Sequence, residues 1–304
     1  MSLLIEQALN GVQLGVTLFL LAAGLTLIFG IMGVINLAHG SLYMIGAYAM
    51  AAVAAKTGSF LLAAPAGLAA AALAGVLMEY LVVRRLYARD HLDQVLATFG
   101  LILFFNQLTT IFFGRQPLFV QIPAFLDGSV AIFEGVRYPF YRLVIIGVGL
   151  LTALGMYLLI ARTRLGMLIR AGATNRDMVR ALGVNIGLLY TLLFGVGAML
   201  AGLAGVMAGP ILSVQVGMGE QVLILTFVVV VIGGVGSIRG AFLGALVVGV
   251  VDTMLRAFLP GLLRQLMSGP DADALAAGLS AMGVYLLMAI VLLVKPKGLA
   301  PAHG

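Results

Sequence analysis

The chain has 304 residues, 62% of them hydrophobic and only 9% charged, with a mean hydropathy of +1.17. That balance excludes an ordinary soluble domain and points to a polytopic membrane protein, while the absence of cysteine excludes disulfides, thiol chemistry and a Cys-ligated metal. The net charge of +6 does not indicate nucleic acid, because the cations stand at the ends of apolar segments and in one loop rather than along a face.

At about twenty residues per crossing, the apolar segments 8–30, 37–55, 61–83, 95–113, 141–161 and 188–208 each read as a span. The opening MSLLIEQALN carries Glu6 and no basic n-region, so the first span is expected to be retained rather than cleaved. Residues 222–259 are too long for one helix and too short for two full ones. Gly233, Gly234 and Gly236 divide them into 222–235, short or re-entrant, and a helix over 240–258. The last span is 277–294. The expected fold class is therefore all-α: one polytopic transmembrane helical bundle over 1–304, with about eight spans plus short or re-entrant segments.

Cytoplasmic loops are enriched in Lys and Arg. One side receives Arg84, Arg85, Arg89, the five arginines of the loop 162–187, Arg239, Lys295 and Lys297, eleven of the seventeen cations. That puts this loop and the C-terminal segment inside and, by parity, the N-terminus outside. Within the loop, Thr174 is expected to cap a short helix with Asp177 three residues on, and Gly183 to stop it. On that helix Met178 and Leu182 lie four apart with Val179 beside them, and Arg176 and Arg180 lie on another side. By composition alone such an amphipathic turn is a solvated connector.

On the opposite side, the loop 114–140 alternates loosely around Asp127-Gly128, a hairpin signal weakened by Pro123. It is either a lid on the bundle or a docking surface for a binding protein. Residues 259–275 form a second outside segment, in which Asp271 and Asp273 read as solvated acids.

Polar groups at membrane depth are the default functional candidates. Asn36, His39, Ser41 and Tyr43 surround the break between the first two spans and Ser237 stands in the second break, so these five are the candidate translocation path, against the plainer reading of His39 as a helix-end residue. Asn106 and Gln107 either line a pore or tie two helices together, and tying is favoured. Asp252 has Arg256 one turn later and reads as a structural ion pair. Glu79 is expected to snorkel toward the Arg84-Arg85 end. The run His39-Gly40-Ser41-Leu42-Tyr43 aligns with Arg239-Gly240-Ala241-Phe242-Leu243, a faint internal repeat. The stripes Gly197, Ala201, Gly205, Gly209 and Gly236, Gly240, Gly244 are packing surfaces. No Walker A, H-E-x-x-H or G-x-S-x-G motif occurs. His39, His91 and His303 are scattered, so neither a metal nor a cofactor is expected.

Three stretches, RAGATNRDMVRALGVN in the basic loop, NGVQLGVTLFLLAAGLTLIFGIMGVINLAHGSLYMIGAY near the start and VVVVIGGVGSIRGAFLGALVVG near the end, resemble the LivH-type permeases of branched-chain amino acid ABC importers. The resemblance covers nearly the whole chain. It implies a cytoplasmic coupling helix seated in a groove of an ATPase subunit, with Arg170, Thr174, Arg176, Asp177, Met178, Val179, Arg180, Leu182 and Gly183 at the contact. It further implies a second permease of related fold (LivM-like), two ATPase subunits (LivG- and LivF-like), a periplasmic substrate-binding protein and the inner membrane. The chain itself is then no enzyme. Related permeases carry urea, short amides or organic acids, which leaves the substrate open. The competing class, a self-powered secondary transporter or channel, needs an intramembrane ion-coupling site, for which this reading offers only Asp252.

Overall fold

Backbone N–H and C=O groups in hydrocarbon must pair within their own segment or be covered by protein, and the computed structural model, which describes residues 2–133 and 136–301 without the side chains of Phe133, Val136, Arg176 and Asp177, meets that demand with helices. In chain order these are α1 (Ser2–Met32), α2 (His39–Thr57), α3 (Phe60–Leu81), a 3₁₀ turn (Val83–Leu86) and α4 (His91–Phe113). A hairpin of β1 (Ser129–Phe133) and β2 (Val136–Pro139) follows, then α5 (Phe140–Arg162), α6 (Arg164–Thr174), α7 (Arg176–Ala181) and α8 (Ile186–Ala208). The chain ends with α9 (Met218–Gly233), α10 (Ile238–Leu263) and α11 (Gly269–Val294). Among the described residues, seven helices are long and apolar enough to cross a membrane: α1, α3, α4, α5, α8, α10 and α11. The remaining expected span is α2, 19 residues long and largely buried.

The helix ends sort onto two sides. On one, Arg84 after α3 reaches Thr191 in α8 at 2.7 Å, Arg239 at the start of α10 lies over the Tyr157 ring near the end of α5, and the 298–301 segment lies against Gly234. On the other, Tyr138 of β2 donates to Asn10 of α1 at 3.1 Å, Arg142 also binds Asn10, and Phe60 packs edge-on against Tyr141. The N-terminus thus lies on the hairpin side, opposite the basic loop.

At several helix crossings the core is held by close glycine-mediated contact, alongside large buried side chains. A Cβ at Gly46 of α2 would lie 2.6 Å from the Gly202 Cα of α8, and one at Gly24 of α1 would lie 2.5 Å from the Gly197 carbonyl oxygen. Gly15 of α1 faces Ala245 and Leu246 of α10, Gly30 faces Gly236, and Phe19 meets Phe242 edge-on at 5.1 Å. Both glycine stripes foreseen in α8 and α10 are thereby placed at helix crossings.

The two breaks are covered by protein. Between α1 and α2, Gly33 turns the chain with a φ of 67°, and α4 supplies partners for the freed backbone: Gln94 Oε1 accepts from Ile35 N at 3.1 Å and Thr98 Oγ1 from Leu37 N at 3.2 Å. Between α9 and α10, Gly234 and Gly236 take φ values of 104° and 79°. The last carbonyls of α9, at Ile232 and Gly233, accept from Leu299 and Ala300 of the C-terminal segment, which satisfies groups a helix end leaves orphaned.

The expected 222–235 segment is α9, extended at its start to Met218. Gly209 lies against Met50 while Gly219 lies against Gly40, so residues 210–217 descend the length of α2 by about 15 Å, at 1.5 Å per residue. The loop re-enters, and α9, at 16 residues, is shorter than the full spans.

Two expectations are corrected on the hairpin side. The hairpin lies at 129–139, one strand later than the Asp127-Gly128 turn. Pro123 has no N–H for a ladder, and its carbonyl instead accepts from Leu126 and Asp127 in a tight turn. Asp273 is not free but makes a two-point pair with Arg264 at 2.8 and 2.9 Å.

Candidate functional site

The basic loop contains two helices where the sequence indicated one. Thr163 caps α6, accepting from Gly166 N at 3.1 Å, and Ile169 anchors this helix in the core. The cap of α7 is Asn175, whose Oδ1 accepts from Met178 N at 2.9 Å. Thr174 instead ends α6, its hydroxyl donating to the Arg170 carbonyl at 3.0 Å. The reason is positional: an Asn or Thr side chain caps the donors two and three residues on, and the chain becomes extended at 175, with φ −152° and ψ 99°. Gly183, at φ 84°, closes α7 with Gly183 N to Arg180 O and Val184 N to Val179 O, the paired bonds of a Schellman ending.

The three apolar residues of α7 divide. Val179 is 5% exposed and belongs to the core, whereas Met178 and Leu182, at i and i+4, are 60% and 75% exposed. Arg180 and Arg170 also face outward, and Arg170 binds the Ile160 carbonyl. The Arg176 and Asp177 side chains lie outside the described residues. Val179 therefore fixes α7 to the bundle while Met178 and Leu182 present an unpartnered apolar ridge edged with arginine.

The path candidates Asn36, His39, Ser41, Tyr43 and Ser237 are all buried. His39 lies against Gly24 and faces the Leu21 carbonyl of α1, without a hydrogen bond of normal geometry; both side-chain polar atoms of Asn36 and the Ser41 hydroxyl are likewise buried and unpartnered. Ser237 caps α10, its Oγ accepting from Gly240 N at 3.0 Å. The breaks approach one another through Gly30 and Gly236. The first four residues are thus buried at and just after the α1–α2 break, and Ser237 serves as a cap.

Asn106 ties α4 to α9: its Nδ2 donates to Glu220 Oε1 at 2.7 Å. Glu220 was not legible as a site residue, because starting the apolar segment at 222 leaves it in a loop; the signal was an acid directly before a long apolar run, where a helix's first turn favours one. Asp252 accepts from Arg256 Nε at 2.8 Å, the i,i+4 pair expected.

Glu79 does not snorkel. It is fully buried and accepts from Arg84 at 3.0 and 3.1 Å, from Tyr87 at 2.5 Å and from Thr191 at 2.8 Å. Burial and the neighbouring carboxylate push the Tyr87 phenol up, so it stays a donor. This cluster joins α3 to the first turns of α8, immediately after the basic loop. A cleft of about 640 Å³ between α2, α3 and α4, walled by Leu77, Leu101, Phe104, Phe112 and similar side chains, offers a polar solute almost nothing. Among the described residues no group of His, Asp and Glu is placed to hold a metal ion.

The chain matches the family model described as branched-chain amino acid transport system, permease component, over residues 7–294. It is 30% identical to the high-affinity branched-chain amino acid transport system permease protein BraD of Pseudomonas aeruginosa, over 97% of this chain and 95% of that one. It is 29% identical to the corresponding LivH of Escherichia coli, over 97% and 94%. The probable branched-chain amino acid transport permease protein LivH of Methanocaldococcus jannaschii is 26% identical, over 93% and 88%. No solved structure matches the chain.

Proposed function

The chain belongs to the family of branched-chain amino acid transport system permease components, and on that premise we propose that it is the membrane subunit of a binding-protein-dependent ABC importer that moves branched-chain amino acids across the inner membrane. The match over nearly the full length, to relatives named for that substrate, carries the reading. A second permease, two ATPases and a periplasmic binding protein complete the machine, and ATP is hydrolysed by those partners. α7 is the ATPase contact. Its support is the exposed Met178–Leu182 ridge, held to the bundle by Val179, since apolar anchors in a partner's groove with a charged rim are how a short helix docks. The hairpin 129–139 and its flanks face the binding protein. The unpartnered Asn36, His39 and Ser41 are the polar interior that the solute wets as the bundle opens, because leaving such groups unpaired costs stability and polar groups at membrane depth mark solute routes.

The secondary-transporter reading is not favoured. Asp252 is neutralised by Arg256, and although Glu220 adds a second intramembrane acid, the family is one of transport-system components rather than self-powered carriers. The test is reconstitution of the permeases, ATPases and binding protein in proteoliposomes. Leucine uptake should require ATP and the binding protein; uptake by the permeases alone, driven by an ion gradient, would overturn the proposal.

A further inference from the structure

Glu220 is in the first turn of α9, at the bottom of the re-entrant loop 210–217. Asn106 lies about 10 Å inward from the outer end of α4 at Phe113, at 1.5 Å per residue. The carboxylate–amide pair is therefore well inside the membrane, on the outer side. One bond joins it, Asn106 Nδ2 to Glu220 Oε1 at 2.7 Å. That bond fixes the amide orientation, because the reverse would set oxygen against oxygen. Asn106 Oδ1 is then left buried with no donor, and no hydrogen bond is made to Glu220 Oε2 among the described residues. Two acceptors flank one bond: Asn106 Oδ1, buried, where an unpaired acceptor is costly, and Oε2 on the half-buried Glu220 side chain. What completes them is a group rich in N–H donors and positively charged.

The surroundings set the pair beside further amides rather than against hydrocarbon alone. Gln107, beside Asn106, is exposed within the row Leu103–Gln107–Ile111 of α4, and Gln221, beside Glu220, is exposed in α9. Exposed amides at this depth are unfavourable against hydrocarbon and favourable against water or a second subunit. Inward, the pair adjoins the polar interior: a Cβ on Gly219, the residue before Glu220, would lie 2.5 Å from the Gly40 carbonyl carbon and 3.2 Å from Ser41 N.

We infer that Glu220 and Asn106 form an ammonium-binding site that receives the α-amino group of an amino acid entering from the outer side. The inference deepens the proposed function and rests on it. Binding there is transient, since a solute held tightly in a path is not released.

The test uses the complete importer in proteoliposomes and two fragments of leucine: isoamylammonium, which keeps the amine, and isocaproate, which keeps the carboxylate. Loading of the binding protein with leucine is measured separately, so that its own competition is subtracted. Isoamylammonium should slow leucine uptake by the wild-type importer and isocaproate should not; no slowing, or equal slowing by both, overturns the site. In Glu220→Gln the concentration for half-inhibition by isoamylammonium should rise by about tenfold or more, as expected for loss of a charge-assisted hydrogen bond. An unchanged value overturns the site. Should Glu220→Gln fail to assemble, Asn106→Leu removes one acceptor and must weaken the block in the same direction, with the same refuting outcome. Absence of amino-acid uptake by the wild-type importer, with isoamylammonium still displacing a bound alkylamine from it but not from the variant, would discard the proposed function and keep the site.

Discussion

Substituting Ala for Gly should have opposite signs at different places in this bundle, and Gly240 against Gly155 and Gly278 is the sharpest comparison. At Gly240 in α10 a Cβ would stand 2.7 Å from the Gly233 carbonyl carbon of α9 and 2.8 Å from the Ala300 carbonyl oxygen, and closer still to the Gly233 oxygen. Carbon contacts are comfortable at about 3.5–4.0 Å, so the α9–α10 crossing must part by roughly 1 Å, and every neighbour is backbone that cannot rotate away. Overpacking of this kind costs about 1–3 kcal/mol, against a gain of about 0.5–1 kcal/mol for replacing helical Gly by Ala. Gly155 and Gly278 have nothing within 4 Å of the added carbon, so only the gain remains. At about 2–4 °C per kcal/mol, Gly240→Ala should melt several degrees below the parent and Gly155→Ala and Gly278→Ala at or slightly above it. The chain has no Trp and no Cys, so intrinsic Trp fluorescence and thiol dyes are unusable; the assay is size-exclusion of a fluorescent fusion in detergent after graded heating. Equal melting of Gly240→Ala and Gly278→Ala would refute the argument.

Leu182→Asp places a charge on the ridge proposed to be buried by the ATPase and should abolish co-purification of that subunit while leaving membrane insertion unchanged; normal pull-down and normal transport would remove α7 from the contact. Glu79→Leu leaves Arg84, Tyr87 and Thr191 without their shared acceptor and should destabilise the protein by about 2–4 kcal/mol, below the upper range for a broken buried pair because Arg84 reaches solvent; an unchanged melting profile would show that the cluster is incidental. Single cysteines at 36, 41 and 237 should react with a membrane-impermeant thiol reagent to a degree that changes with ATP and the binding protein, and protection at all three in every state would place the path elsewhere. Gly205→Ala, whose Cβ meets the Tyr43 carbonyl, should abolish the ATP dependence of labelling at 41 while ATPase binding persists, and retention of that dependence would refute rigid transmission through α8.

What could be read from the residues and what could not follow from the range of the forces involved. Span positions, the sorting of loops onto two opposite sides and the Asp252–Arg256 pair depend on local runs, span parity and an i,i+4 spacing, all readable from short windows. Gly183 was legible because a positive φ at a helix end is a local demand. The choice of Asn175 over Thr174 as a cap was not, because both residues can cap and α6 decides where the chain turns. Glu79 resembled a lipid-edge acid until its partners were known, and Tyr87 and Thr191 lie far from each other in sequence. Gln94 and Thr98 likewise had no signal: they look like ordinary polar residues at the start of α4, and their role exists only because the α1–α2 break passes beside them.

The same distances explain how a short helix of the basic loop could govern groups buried in the bundle. α7 is tied to the core through Val179 and runs through Gly183 and Asn185 directly into α8, whose first turns are clamped to α3 by Glu79, Arg84 and Thr191. Along its length α8 meets α1 at Gly24 and α2 at Gly46 and Tyr43 through backbone, with no side chain between to absorb a displacement. Packed interfaces of this type shift as units rather than bending. A force on the Met178–Leu182 ridge would then reach α1 and α2 on either side of the Gly33 break, whose connecting backbone at Ile35 and Leu37 is held by side chains of α4 rather than by a helix of its own. Asn36, His39 and Ser41, whose buried polar atoms lack partners, lie at or just after that break, so a movement of α8 would change their surroundings.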